Sequence, residues 1–359
     1  MSRELTSEYA RSGVDTTEAD RALARLLLEI APTAAFGSGT ELGIGHFAAV
    51  IRVGPLHLAL TTDGVGSKLL VAQALGKYDT VGIDCVAMNV NDLLCVGAKP
   101  LAMLDYIAVE RCDPEVFGQI GRGLCEGARQ AGVAIVGGET AQIPDMLRGA
   151  REGSGLDLAG MALGIVPDGG LCDGSKVQPG DVLIGVASSG VHSNGLSLAR
   201  AVLARKFRLD EYVADLGTTV GEALLTPTRI YVPQVEALAK AGITPHALAH
   251  ITGDGFLNIR RVEAPVGFEI DSLPPVPEVL RLISRIGELD AAELYTVFNM
   301  GVGFTVTVAP GDADRTLAAL RATGLDAWRM GRAFADPERK VRILPERLVG
   351  RSKLFFREP

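Results

Sequence analysis

Thr61-Thr62-Asp63-Gly64-Val65-Gly66-Ser67-Lys68 is the stretch from which the fold is read. An apolar strand pattern ends there, two glycines permit a tight turn, and a helix pattern opens with Ser67 and Lys68 in its first turn. Upstream, residues 48–53 and 56–61 read as strands joined at Gly54-Pro55. Downstream, residues 65–75 and 84–95 read as helices, and 101–109 as a strand. Asp113-Pro114-Glu115 starts a helix, with a cap, a proline in the first turn and an acid beside it. That helix runs to Gly132 and contains Gly118, Gly121, Gly123 and Gly127. Each glycine costs about 1 kcal/mol relative to alanine, which close packing against a neighbour would explain. Residues 133–136 and 158–166 complete the strands of this region.

Residues 167–180 are rich in proline and glycine and mark a domain boundary. A second α/β unit follows. Its strands are expected at 182–187, 303–308 and 328–334, and its helices at 194–206, 277–286 and 312–321. Thr226-Pro227 reads as a helix start, with a restart at Pro233. Residues 16–30 carry Leu23, Leu26, Leu27 and Ile30 at helical spacing, with Thr16 or Thr17 as cap, and 31–45 read as loop. Residues 339–359 show no strong amphipathic pattern. The expected division is 1–168, 169–345 and a tail, 346–359.

The chain has 359 residues, with 35 basic and 43 acidic side chains and a net charge of −8. That length exceeds what one core usually serves. The acidic balance argues against a broad grip on nucleic acid or an anionic membrane. No leader is visible at the start and no apolar run is long enough to span a bilayer, so a cytoplasmic protein is expected. The five cysteines have no CxxC spacing and read as buried free thiols.

The chemistry concentrates in three glycine-containing loops. In residues 61–68, free backbone N–H groups at a helix start suit phosphate. Lys68 could reach a phosphoryl oxygen and Asp63 could hold Mg²⁺. The order is neither Walker A nor GxGxxG, and the same residues also read as an ordinary strand–turn–helix with a solvated lysine. Asn89-Val90-Asn91-Asp92 places polar groups in an apolar helix, where they need partners. Gly137-Gly138-Glu139-Thr140 puts a carboxylate at a strand end. Asp63, Asp92 and Glu139 together offer hard oxygen ligands for Mg²⁺ over a polyphosphate. The alternative is that Asp92 caps a turn and Glu139 faces solvent.

Ser188-Ser189-Gly190-Val191-His192-Ser193-Asn194-Gly195 is a second strand–turn–helix whose hydroxyls, N–H groups and imidazole suit a phosphate monoester. His192 reads equally as a structural histidine. In His250-Ile251-Thr252-Gly253-Asp254-Gly255, His250 and Asp254 are a candidate acid–base or orienting pair.

Taken together, these motifs resemble those of the phosphoribosylformylglycinamidine cyclo-ligase (aminoimidazole ribonucleotide synthetase) family. The resemblance rests on Tyr9-Ala10-Arg11-Ser12-Gly13-Val14-Asp15, the 61–68 loop, 82–98, Leu104-Asp105-Tyr106 and Gly137-Gly138-Glu139-Thr140-Ala141. It continues through 188–195, Thr226-Pro227-Thr228-Arg229-Ile230-Tyr231-Val232, Ala249-His250-Ile251-Thr252-Gly253 and Phe298-Asn299-Met300-Gly301-Val302-Gly303. It implies an α/β (α+β) fold of two domains. An N-terminal mixed-sheet domain would form a barrel-like core across a homodimer, beside a C-terminal α/β sandwich-like domain. It implies ATP-dependent closure of formylglycinamidine ribonucleotide to 5-aminoimidazole ribonucleotide in purine synthesis, with ADP and phosphate released.

By the same resemblance, Asp63, Asp92 and Glu139 would hold Mg²⁺. Asp63, Gly64, Gly66, Ser67, Lys68, Asp105, Gly138, Glu139 and Thr140 would meet ATP. Ser188, Ser189, Gly190, His192, Ser193, Asn194, Thr252 and Gly253 would meet the ribonucleotide. His192, His250, Lys68 and Asp92 are the implied catalytic groups. Two positions depart from the family pattern: Asp254 stands where a third glycine is usual, and Gly45-His46-Phe47-Ala48 where Gly-Gly-Phe-Gly is usual. The other readings are another ATP-dependent phosphoryl-transfer enzyme of the same fold, or a non-catalytic ligand-binding homologue. A selenophosphate synthetase would carry a reactive cysteine in the N-terminal glycine loop, and residues 37–45 have none.

Overall fold

The computed structural model describes residues 8–13, 16–37 and 39–358. Val14 and Asp15 of the opening motif, and the side chains of Thr16 and Thr17 offered as caps, lie outside the described residues. Two short leading helices, α1 (Glu8–Arg11) and α2 (Thr16–Ile30), precede the first sheet. Its strands are β1 (Thr40–Leu42), β2 (Ala49–Val53), β3 (Leu56–Gly64), β4 (Lys99–Val109), β5 (Ala134–Gln142) and β6 (Leu156–Val166). They lie in the order β1-β2-β3-β6-β4-β5, antiparallel except for the β4–β5 pair.

Three helices complete this unit: α3 (Lys68–Leu75), α4 (Val81–Cys95) and α5 (Pro114–Ala131). Helix α4 is almost wholly buried and packs on β3, β4 and β6. Helix α5 begins as its sequence dictates: Asp113 accepts the Glu115 N–H, and Gly132 ends it in the left-handed conformation. Its glycines divide. Gly118 and Gly121 face open space or a flexible arginine end, whereas Gly123 and Gly127 lie against α4. A Cβ on Gly82 of α4 would stand 2.2 Å from the Leu124 nitrogen, so the two helix backbones touch through glycine.

Residues 167–181 carry neither helix nor strand and lead to a second sheet of eight strands. Its central strands Val182–Ala187 and Val302–Val308 are almost entirely buried, as their unbroken apolar runs require. Four expectations change with the fold. The stretch expected as a tail supplies two strands, Leu348–Arg351 and Leu354–Arg357, which pair as a hairpin at the sheet edge. Each strand is only four residues long, with 348–350 buried in the first and Phe355 in the second, too short to carry a periodic signal. Thr226-Pro227 does not start a helix: residues 226–231 are not helical, and the helix is Val232–Lys240, with Pro233 in its first turn. The 137–140 motif sits inside β5, an edge strand, rather than at a strand end. Of the cysteines, Cys85, Cys95 and Cys172 are buried, but Cys112 and Cys125 are exposed.

Candidate active site at the seam between the sheets

Asp63 stands near the end of β3, facing α4. Its backbone N–H donates to Asn89 Oδ1 at 3.0 Å, Asn89 Nδ2 returns a bond to the Asp63 carbonyl, and the Gly64 N–H donates to Asp63 Oδ1 at 2.7 Å. Asn89, a polar residue in an apolar helix, thus fixes the strand end on which the carboxylate sits. Burial, and then the nearby charge of Asp92, pushes the Asp63 carboxyl up to about 6.

Asp92 accepts from His250 Nδ1 at 3.0 Å. His250 is fully buried, and its other nitrogen faces Asn91 Nδ2 at 3.3 Å. The Tyr231 N–H donates to Asn91 Oδ1 at 2.9 Å, which makes Asn91 Nδ2 the donor. His250 Nε2 is therefore an acceptor, and Nδ1–H is aimed at Asp92. This geometry makes His250 an orienting group for Asp92. The expected partnership of His250 with Asp254 is not formed. Asp254 pairs instead with Arg261 at 2.7 Å, and Arg261 lies over the Phe47 ring at 4.8 Å. His46 meets the same Phe47 ring edge-on at 5.5 Å. The two departures from the family pattern thus meet at one contact, through Arg261 and the Phe47 ring.

The strand register separates the expected acidic triad. Asp63 pairs with Gly160, Gly160 with Asp105, and Asp105 with Gly138, so these four share one face. Glu139 is one residue further and belongs with Tyr106 and Ala159 on the opposite face, exposed. Asp63 and Asp92 converge; Glu139 does not join them. Among the described residues, no group of three or more His, Cys, Asp and Glu side chains could hold one metal ion. Asp105 packs on Gly138, where a Cβ would stand 2.5 Å from its Oδ1. Burial raises the pKa of the Asp105 carboxyl. Thr140, next to Glu139, is exposed.

Lys68 also departs from its expected role. Its ammonium is wholly buried and donates to Asp84 Oδ1 at 2.8 Å and to the Thr226 carbonyl at 2.6 Å. Desolvation lowers its pKa, and Asp84 opposes that shift. The same Asp84 oxygen accepts from the Thr228 N–H, the Thr228 hydroxyl and the Ser193 hydroxyl. The Arg229 carbonyl accepts from Asn91 Nδ2 at 2.7 Å. Backbone groups of 226–231 are thus committed to α4 of the first unit, which explains why no helix starts at Thr226. Ser67, beside Lys68, accepts from Ser197 at 3.0 Å, and Gly66 supplies the left-handed turn before it.

The 188–195 loop closes over this seam. Ser188 Oγ donates to the Gly190 carbonyl and Ser189 Oγ to the Pro227 carbonyl. Asn299 Nδ2 holds the Gly190 and Val191 carbonyls. His192 is buried with φ of 65°, and its Nε2 accepts the Ser189 N–H at 3.1 Å. Burial holds its pKa well below the usual imidazole value. Asn194 Oδ1 would stand 3.3 Å from a Cβ on Gly253, so the second and third glycine loops meet there. The Thr252 N–H is tied to Asn258 Oδ1. Asp84, Asn91, Arg229 and Asn299 were not singled out from sequence as site residues. Each lies in a quoted motif, and the buried amides of 89–92 were the signal available.

Fold and seam define a two-domain α/β protein with two carboxylates brought together where its sheets meet. The N-terminal domain of "AIR synthase related protein" matches residues 45–166, and the C-terminal domain of the same family matches 178–343. The chain is 48% identical over 314 residues to the phosphoribosylformylglycinamidine cyclo-ligase of Methanothermobacter thermautotrophicus, covering 87% of this chain and 90% of that protein. It is 47% identical over 339 residues to the enzyme of that name from Thermococcus kodakarensis, covering 93% and 97%. The chain belongs to the AIR synthase related family, and within it to the phosphoribosylformylglycinamidine cyclo-ligases. Solved structures share the fold. A HypE–HypF complex superposes with a TM-score of 0.63 at 20% identity, covering 91% of this chain and 99% of that one. AaThiL complexed with AMPPCP and TMP gives 0.60 at 15% identity, covering 92% and 96%. Among the described residues no helix is long and apolar enough to cross a membrane.

Proposed function

We propose that this protein closes the imidazole ring of formylglycinamidine ribonucleotide, using ATP and releasing 5-aminoimidazole ribonucleotide, ADP and phosphate. The identity to the Methanothermobacter cyclo-ligase over 87% of the chain carries the reading. The convergence of Asp63 and Asp92 supports it. Asp63, whose carboxyl is pushed up to about 6 by burial first and by the Asp92 charge second, forms with Asp92 a carboxylate pair that suits a cation. Asp63 and Asp92 would hold Mg²⁺, with phosphate oxygens and waters as the remaining ligands. Bound there, Mg²⁺ supplies neutralisation of phosphate charge during transfer.

The amide oxygen of the substrate attacks the γ-phosphorus, the bond to the ADP oxygen breaks, and loss of the amide N–H proton leaves an iminophosphate. The amidine nitrogen then adds to that carbon, phosphate leaves and the ring nitrogen loses its proton. Nucleophile and electrophile belong to one molecule, so the protein's task is orientation and exclusion of water. His250 orients Asp92 through its Nδ1–H, and Asn91 fixes His250 while tethering the 226–231 segment. Loops 188–195 and 252–253, joined at Asn194, cover the ribonucleotide. Asp105, with Gly138 against it, supports the nucleotide side of the sheet.

The homodimer belongs to the same proposal. The outer sheet face exposes Leu104 (36%), Tyr106 (40%) and Met161 (37%), and Leu104 and Met161 are registered partners. Among the described residues, the outer edge of β5 has no neighbouring strand. A second copy would cover this face, and Glu139, which lies on it, would act at that interface. Supplying the protein with ATP, Mg²⁺ and formylglycinamidine ribonucleotide tests the reading. Aminoimidazole and ADP should form in equal amounts, and Asp63→Ala should lose both while remaining folded. ADP without the imidazole, or neither product from a folded dimer, would refute it.

A further inference from the structure

Segment 226–231 crosses the seam with its backbone bound from both sides. The Thr228 N–H is held by Asp84, the Arg229 carbonyl by Asn91, and the Tyr231 N–H by Asn91. Ser189 Oγ ties the Pro227 carbonyl to the 188–195 loop. Arg229 therefore rides on a fixed backbone. Its half-buried guanidinium forms no hydrogen bond or ion pair with any described residue, and its Nε is buried without a partner. A buried donor left without a partner is costly.

A second buried donor is orphaned beside it. His192 is 1% exposed; its Nε2 accepts from Ser189, so Nδ1 carries the hydrogen, and Nδ1 has no partner. The His192 backbone is held in the left-handed region, with φ of 65°. The two groups are close enough for the Arg229 charge to help depress the pKa of His192. Lys68 lies nearby but is already matched by Asp84. Among the described residues, the cluster thus has an unmatched positive charge and an unmatched buried donor at the seam.

We propose that Arg229 and His192 Nδ1–H form a phosphoryl-binding subsite, with Arg229 its anchoring charge. A guanidinium gives a phosphate two parallel bonds, which an ammonium cannot. The phosphoryl group has two possible sources in the reaction read above, on which this inference rests: the 5′-phosphate of the ribonucleotide, or the group transferred from ATP.

The test compares wild type with Arg229→Gln and Arg229→Lys. Wild-type turnover is established first, so that failure of the ring-closure reading shows by itself. Binding of inorganic phosphate is measured separately by calorimetry, with no turnover needed. Calorimetric phosphate affinity should fall about ten- to a hundredfold in Arg229→Gln, with partial return in Arg229→Lys. If the 5′-phosphate is the ligand, KM for the ribonucleotide rises by a similar factor, KM for ATP holds, and the preference over the dephosphorylated riboside collapses. If the transferred group is the ligand, kcat falls with both KM values retained. Should Arg229→Gln melt early, Arg229→Lys and wild-type phosphate binding still decide. Unchanged phosphate affinity in folded variants, or absence of phosphate binding to wild type at millimolar concentration, would overturn the subsite.

Discussion

Replacing Lys68 by methionine removes the only cation, among the described residues, bonded to the buried Asp84 carboxylate. Both side chains are 0% exposed. Methionine keeps most of the apolar stem, so the cavity term is small, and the cost is electrostatic. Asp84 Oδ1 would keep the Thr228 N–H at 2.7 Å, the Thr228 hydroxyl at 2.7 Å and the Ser193 hydroxyl at 3.1 Å. Its Oδ2 has no partner even in the intact protein. Leaving such a charge unpaired costs about 3–5 kcal/mol. At roughly 2–4 °C per kcal/mol, the melting temperature should fall by roughly 6–20 °C. Circular dichroism melts of Lys68→Met, Asp84→Asn and the double variant form the assay. The double variant should recover part of the loss, because no uncompensated charge remains. If Lys68→Met melts within about 2 °C of wild type yet loses turnover, the buried-pair argument is wrong. Lys68 would then act on phosphate, as its place in the 61–68 loop first suggests.

Gly82→Ala should destabilise by about 1–3 kcal/mol or more, because its Cβ meets the α5 backbone rather than a side chain that can swing aside; an unchanged denaturant midpoint would contradict the contact. Asp113→Ala removes the α5 cap and should cost about 1 kcal/mol in the same measurement. The Asp63 carboxyl, raised to about 6, binds its proton more tightly in the folded protein than in the unfolded one. Its stabilising contribution is complete below its unfolded pKa of about 4 and is lost as pH rises through about 6. In chelator-treated protein, Asp63→Asn should therefore gain stability relative to wild type between pH 4 and 7, and a pH-independent difference would count against the paired-carboxylate geometry.

How much of this the sequence announces depends on how local the physics is. Asp113-Pro114 and Gly132 define α5 because a cap, a fixed φ and a left-handed terminus each act within a few residues. The strand–turn–helix at 61–68 and the family motifs are equally local, and they led to the right two-domain family. The hairpin at 348–357 escapes a search for periodicity because each of its strands spans only four residues. Thr226-Pro227 has every local mark of a helix start and forms none, because Asp84 and Asn91, more than a hundred residues away, take its backbone groups.

The site shows the same division. The sequence by itself determined which side chains could do chemistry: Asp63, Asp92, the two buried histidines and the glycine loops. Only the tertiary structure decided that Lys68 is consumed by Asp84, that His250 faces Asp92 rather than Asp254, and that Arg229 is left without a partner. It also decided that Glu139 faces away from Asp63, since one residue of register reverses a side chain's face. Residue type and spacing set what a group can bond to. Which bond forms is a competition among partners brought together by folding, and that competition has no trace in the order of the chain.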